Sequence, residues 1–220
     1  MSDKPQIQNE LSENLASLML SLSNENRRGY IRNFWKIMSL EWNGLDRLRL
    51  NKFYFIMKRF VFHMMQIMKD AKFQNISDLM SCLNFTDESV PEAVRNCQIE
   101  TFMSLISESF SLDEAAMKNL MENVVFVLQR TKKSSVLKKV EECFHELFQK
   151  EFEGLEFLKA ILFEAAASKE ISDKNRTIIL GLYSKCPGKM IEKLLNGGTR
   201  EKRKIVQSAD QTVKCTVKDK

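Results

Sequence analysis

Phe53-Tyr-Phe-Ile-Met-Lys-Arg-Phe-Val-Phe-His-Met-Met-Gln-Ile-Met68 is the most apolar stretch of the chain, and its periodicity decides the fold class. At about 100° per residue, Phe53, Ile56, Met57, Phe60, Met64, Ile67 and Met68 fall within one arc of roughly 120°. Leu48, Phe55 and Phe62 form a smaller apolar strip nearly opposite. A helix over about residues 45–70 with two apolar faces must be covered on both sides, as in the inner layer of a helical stack. Lys58, Arg59 and His63 interrupt the run, so it reads as a buried core helix and not as a membrane span.

The same period recurs on either side of this helix. Ile7, Leu11, Leu15, Leu18 and Leu22, at spacings of 4, 4, 3 and 4, predict a first helix over about 7–22 with one apolar stripe. A turn at 23–26 leads to a second helix through Tyr30, Ile31, Phe34, Trp35 and Met38. Asn43-Gly44 ends that helix, and Asn43 is placed to cap the next one with Asp46 as its capping-box-like partner. Further helices are expected near 75–84, 90–109, 113–130, 134–150, 155–168 and 173–185, with a short one near 189–195. Asp113 and Asp173 read as N-caps, and Pro91 suits the first turn of its helix.

Composition agrees with an all-helical chain. Seven glycines and three prolines in 220 residues are under 5%, against about 12% in average proteins. Hairpins and βα loops need those residues for their turns, so a sheet-rich fold is disfavoured. Twelve methionines and fifteen phenylalanines supply adaptable packing between helices. Collagen-like, low-complexity, disulfide-scaffold and membrane-channel classes are excluded by the same figures. Connections of mostly two to six residues make sequential helices antiparallel. Helix pairs of about 35–45 residues, without clear self-similarity, point to an irregular helical-repeat solenoid of the HEAT or armadillo kind over residues 1–195, with a compact bundle as the competing architecture. After Asn196-Gly197-Gly198 the periodicity stops, and 196–220 is expected to be a basic, disordered tail.

Five scattered cysteines and a start, Met1-Ser2-Asp3-Lys4, without an apolar segment point to reduced thiols in cytosol or nucleus. No membrane is expected as a partner. The net charge of +5 is unevenly placed: of 34 Lys+Arg and 29 Asp+Glu, seven and three lie from Asn196 onward. That leaves 27 basic and 26 acidic groups in the first 195 residues, so the body is nearly neutral and the tail holds the excess.

Little in the chain resembles catalytic machinery. Cys143-x-His145 is too tight for the usual zinc spacing, and nothing completes a metal site around it. A Cys–His nucleophile pair, whose members need not be adjacent in sequence, is the one enzymatic arrangement the residues leave open, against the plainer reading of surface and core histidines. Gly197-Gly198 has no leading strand and no following Gly-Lys-Ser/Thr, so it is not a phosphate loop. Glu141-Glu142 and Glu151/Glu153 read as solvated faces. No cofactor and no small-molecule substrate are implied.

The basic groups near the central helix are the candidate contact residues. Arg49, Lys52 and Arg59 lie within about 80° of one another, while Arg47 and Lys58 share another side. Arg47, Lys52, Lys58 and Arg59 are candidates for phosphate or acidic-partner contact. Asp46 and Arg49, at i and i+3, read better as a local pair. Arg200, Lys202, Arg203 and Lys204 form a cluster of nuclear-import type that would serve equally as an RNA-binding arm.

One segment is more specific than pattern alone. Phe34-Trp35 and Glu41-Trp42-Asn43-Gly44-Leu45-Asp46-Arg47-Leu48-Arg49-Leu50-Asn51-Lys52-Phe53-Tyr54 are very similar to the signature of the eukaryotic ribosomal RNA processing protein 1 family, of the nucleolar Nop fifty-two type. Met1-Ser-Asp-Lys-Pro-Gln-Ile-Gln-Asn-Glu-Leu11 resembles a helix start inside that family. Fainter similarity runs through Pro91, Ile99–Ser109, Leu128–Lys133, Phe144–Phe148 and Asn175-Arg176 with Leu182-Tyr183, so the resemblance spans about 1–185. Trp42, Asp46 and Arg49 are its structural motif residues. The resemblance implies a noncatalytic nucleolar assembly factor that joins precursors of the large ribosomal subunit and supports ribosomal RNA maturation. Its implied partners are preribosomal large-subunit proteins and the ribosomal RNA precursor. The resemblance also implies helices ahead of Ser2-Asp3-Lys4-Pro5, which the 1–195 domain is expected to lack. Asn51 stands where the family more often has aspartate, and the tail is short beside the long basic extensions of many members. The alternative reading is a helical-repeat protein–protein adaptor in transport or translation.

Overall fold

A computed structural model describes residues 4–70, 76–83, 85–108, 114–150 and 156–187. Among these residues every regular element is helical: α1 (Pro5–Ser21), α2 (Asn24–Glu41), α3 (Leu50–Asp70), α4 (Ile76–Met80), α5 (Glu92–Glu108), α6 (Glu114–Arg130), α7 (Ser134–Gln149), α8 (Glu156–Ala167) and α9 (Asp173–Lys185). The chain divides into two compact units, Met1–Leu112 and Asp113–Lys220. The basic tail with Arg200, Lys202, Arg203 and Lys204, the helix expected at 189–195 and the cap expected at Asp113 lie outside the described residues.

In the first unit α3 is the central helix, flanked by α1 and α5. Its main arc is buried as the spacing predicts, apart from half-buried Phe53, with Met57, Phe60 and Met64 fully enclosed. Trp35 of α2 meets Phe60 edge-on at 6.4 Å, Tyr30 lies 5.7 Å from the same ring, and Phe34 stacks nearly parallel to it. Four aromatic rings thus form the hinge between α2 and α3, a geometry that adds to simple burial. In the second unit α6 packs beside α8, and α7 beside α9. Leu120, Leu128, Val140, Phe144, Leu158, Leu162, Ile179 and Leu182 fill its core. Each unit therefore places helix i against helix i+2, the packing of stacked helical pairs in repeat proteins.

Four local readings differ. The stripe Ile7, Leu11, Leu15 and Leu18 is the outer face of α1, 38–45% exposed, while Gln8, Ser12, Ala16 and Met19 are buried. Small residues let α1 lie close along α3, and its leucines are left outside. Leu48 is 88% exposed and precedes α3, and Phe55 and Phe62 are half-buried, so the second apolar strip is only partly covered. Asn43 sits inside a 3-10 turn, Trp42–Gly44, and does not cap α3. Asp46 instead closes the turn ahead of α3, its carboxylate accepting from the Arg49 amide at 3.0 Å. Asp173 is the first residue of α9, and its cap is Ser172, whose hydroxyl accepts from the Asn175 amide at 3.2 Å.

Candidate functional site

The signature segment builds the connection between α2 and α3. Trp42 leaves α2 in the 3-10 turn, is buried, and packs edge-on against Tyr54 at 5.2 Å. Twelve positions of sequence separate these rings, and their contact closes the connection over the intervening loop. Asp46 holds that loop through the Arg49 amide and pairs with the Arg49 guanidinium. The Arg49 hydrogen bond keeps the Asp46 carboxyl below its ordinary value. The aspartate, the arginine and the two rings shape this joint, and Arg47 and Leu48 project from it exposed.

The four candidate contact cations are not gathered in one place. Arg59 is turned inward, paired with Glu13 of α1 and lying over the Phe62 ring at 4.5 Å. Its neighbour His63, nearly enclosed, meets Glu13 Oε1 at 2.9 Å through Nε2 and Gln66 Oε1 at 2.7 Å through Nδ1. The Arg59 hydrogen bond first, and His63 after it, keep the Glu13 carboxyl below its ordinary value. This triad ties α1 to α3. Lys52 is half-buried, while Arg47 and Lys58 are exposed.

Lys58 borders a cavity of about 420 Å³ between α3 and α5, lined also by Asn51, Tyr54, Asn96, Cys97 and Glu100. Two amides, a phenol, a cation and a carboxylate around one concavity can recognise a polar group presented edge-on. Cys97 adds no nucleophile, because burial pushes its thiol up to about 11.

A second cavity of about 420 Å³ collects cations the sequence reading passed over. Arg32 and Lys36 of α2 face Ser39, Ser81, Cys82, Asp87, Ser89 and Val90. Arg28, Arg32 and Lys36 follow one another at i, i+4 and i+8, one line of the α2 surface. That spacing is present in the sequence, interleaved with the apolar period of Ile31, Phe34, Trp35 and Met38. Arg28 pairs with Asp78 at 2.8 Å. Asp87 is held ionised by the Ser89 hydroxyl and amide, with Arg95 contributing at longer range.

Cys143 is buried in α7, and His145 beside it faces Glu141 at 3.6 Å and Lys185 at 3.4 Å. Among the described residues no group of three or more His, Cys, Asp or Glu could hold a metal ion, and no helix is long and apolar enough to cross a membrane.

Asn175 and Arg176, where only faint family similarity was visible, have clear structural work. Asn175 is buried and donates to Leu128 O at 2.8 Å and Thr131 O at 3.0 Å, at the end of α6. Arg176 donates to Ala166 O and, at 3.1 Å, to Ser168 O at the end of α8. Two adjacent residues thus satisfy carbonyls that two helix ends leave open.

Comparison with known proteins agrees with the signature. Residues 1–185 match the family model described as nucleolar protein, Nop52. The chain is 29% identical over 150 residues to ribosomal RNA processing protein 1 homolog A of Mus musculus, covering 64% of this chain and 30% of that protein. The homolog A of Homo sapiens is 28% identical over 149 residues, covering 64% and 32% respectively. A Drosophila melanogaster ribosomal RNA processing protein 1 homolog is 31% identical over 86 residues, 38% of this chain. The chain thus spans about a third of the length of the mouse and human relatives it matches. With the family model covering the signature, the first unit and the second as far as residue 185, Asn175-Arg176 included, the chain belongs to the Nop52 family of nucleolar proteins.

Proposed function

We propose that this chain is a noncatalytic scaffold of nucleolar preribosomal particles, supporting ribosomal RNA processing on the large-subunit precursor. The observation that carries the reading is the family match over 1–185, together with relatives named as ribosomal RNA processing proteins. The helices would hold particle proteins in register so that other enzymes fold and cleave the precursor. Residues 1–195 act as the helical body and 196–220 as the basic arm in this proposal. Of the candidate cations, Arg47 and Lys58 are exposed and suited to phosphate contact, whereas Arg59 already pairs with Glu13.

Sedimentation of the tagged protein on a gradient tests the reading. Cosedimentation with large-subunit precursors, and accumulation of unprocessed large-subunit RNA on depletion, are expected. Normal RNA maturation after depletion would overturn the assembly role. Maturation lost on changing His145 or Cys143, with folding intact, would replace the scaffold with an enzyme.

A further inference from the structure

The line of α2 that carries Arg28, Arg32 and Lys36 faces the segment 78–90 of the same unit. Arg28 is neutralised there by Asp78 at 2.8 Å. The Asp78 carbonyl accepts from the Ser81 hydroxyl at 2.7 Å, and Ser81 Oγ accepts from Arg32 Nη2 at 3.4 Å. These contacts tie α2 to α4 beside the cavity and hold Arg32 at its wall. Only one long hydrogen bond is made by a guanidinium that can donate five. Among the described residues neither Arg32 nor Lys36 has a carboxylate within ion-pair distance. Arg49, Arg59 and Arg130, by contrast, each meet one.

The hydroxyls around this cavity already have acceptors. Ser39 donates to Trp35 O at 2.7 Å, Ser81 to Asp78 O, and Ser89 to Asp87 Oδ1 at 2.6 Å. Recognition of charge therefore falls to Arg32 and Lys36, opposed by the one lining carboxylate, Asp87. Two cations against one carboxylate leave a single positive charge in a cavity of about 420 Å³. A carboxylate side chain balances that charge, whereas a phosphate monoester, close to a dianion at neutral pH, overshoots it. A nucleic-acid strand needs a continued run of cations, and here the run stops. Arg28 is held by Asp78 at one end, and the next position of the line at the other end is Leu40. Leu40 lines the same cavity and is 68% exposed, with Ile37 exposed beside it.

We propose that this cavity is a binding site for an acidic peptide segment of a partner protein. An aspartate or glutamate side chain of that segment is held by Arg32 and Lys36, and an aliphatic neighbour rests on Leu40. The Arg32 guanidinium offers the planar pair of donors that a carboxylate accepts, and the Lys36 ammonium adds a point charge beside it. Asp87 limits how much negative charge the site accepts. The site is independent of the ribosomal role.

The probe is the blocked peptide acetyl-Gly-Leu-Glu-Leu-Gly-amide, titrated into the full chain by calorimetry, with circular dichroism confirming that variants keep their helix content. Saturable binding with a Kd below about 1 mM is expected, weakened about tenfold or more by Arg32→Ala with Lys36→Ala. Leu40→Ser should weaken it about threefold, and Asp87→Asn, whose amide oxygen still accepts from Ser89, should tighten it about twofold. Lys169→Ala, on the exposed surface of the second unit, should leave it unchanged. Absence of binding at millimolar peptide, or binding indifferent to Arg32→Ala with Lys36→Ala, would overturn the proposal. Two further ligands decide the chemistry. Tighter binding, by about tenfold or more, of the same peptide with phosphoserine in place of glutamate would make this a phosphate site and overturn it. Displacement of the peptide by oligouridylate at lower concentration than by unlabelled peptide would make it a nucleic-acid site and overturn it too.

Discussion

Phe60 is fully enclosed where Tyr30, Phe34 and Trp35 converge, so it bears the packing between α2 and α3. Phe60→Ala should cost about 3–5 kcal/mol in urea unfolding, since the rings around the vacated volume cannot collapse together. Glu13 presents a subtler case. Its carboxyl is held below the ordinary value by Arg59 and His63, so the folded state favours its ionised form. The resulting stability is fully present above the unfolded carboxylate value, near 4.5, and is lost as pH falls toward the depressed folded value. Because Glu13 is 41% exposed, Glu13→Gln should cost under about 1 kcal/mol at neutral pH. That gap between wild type and variant should close on acidification through the carboxylate range, as followed by thermal unfolding. The buried thiols give a third expectation. Burial pushes Cys97 and Cys186 up to about 11, so a disulfide-exchange reagent at pH 8 should modify them far more slowly in native protein than in urea. Which titratable groups meet across helices was not legible beforehand: Glu13 and His63 stand 50 positions apart, and only packing of α1 on α3 joins them.

At the scale of elements, the sequence was most readable where apolar period and length coincide, as in α3. Caps were less readable, because Asn43 and Asp46, or Asp173 and Ser172, offer equally good chemistry within a few residues. Backbone conformation chose between them, turning Trp42–Gly44 into a 3-10 turn and leaving Asp46 as the acceptor. The face of α1 misled for a physical reason. Apolar residues normally mark the buried side, yet α1 approaches α3 through Ser12 and Ala16, small enough for close contact. The joint at Asn175 is the strongest element to test. Asn175→Ala removes two buried hydrogen bonds and leaves the carbonyls of Leu128 and Thr131 unmet, for a loss of about 1–3 kcal/mol in chemical denaturation. Asn26→Ala should change stability by less than about 0.5 kcal/mol, because Asn26 is exposed. Ser23-x-x-Asn26-Arg27 at the start of α2 and Ser172-x-x-Asn175-Arg176 at the start of α9 share a pattern of five residues with two variable positions, too short for sequence similarity alone to distinguish.

For the whole molecule, charge distribution carries the expectation. The first 195 residues hold 27 basic and 26 acidic groups, while seven basic residues face three acidic ones in the last 25. Removing 196–220 should therefore abolish most low-salt affinity for nonspecific RNA and flatten its salt dependence, whereas Lys58→Gln should weaken it less than about threefold in filter binding. An unchanged salt slope after the truncation would place RNA contact on the helical body instead. Helix content, helix boundaries to within a few residues, and the Nop52 signature are properties of the sequence by itself, because hydrophobic period and glycine poverty act locally. Which face of each helix is inside and which cations stay available were decided only by tertiary structure. The reason is that these depend on how closely two helices can approach and on which carbonyls an arginine or asparagine can reach. Such distances connect residues dozens of positions apart, and no local pattern encodes them.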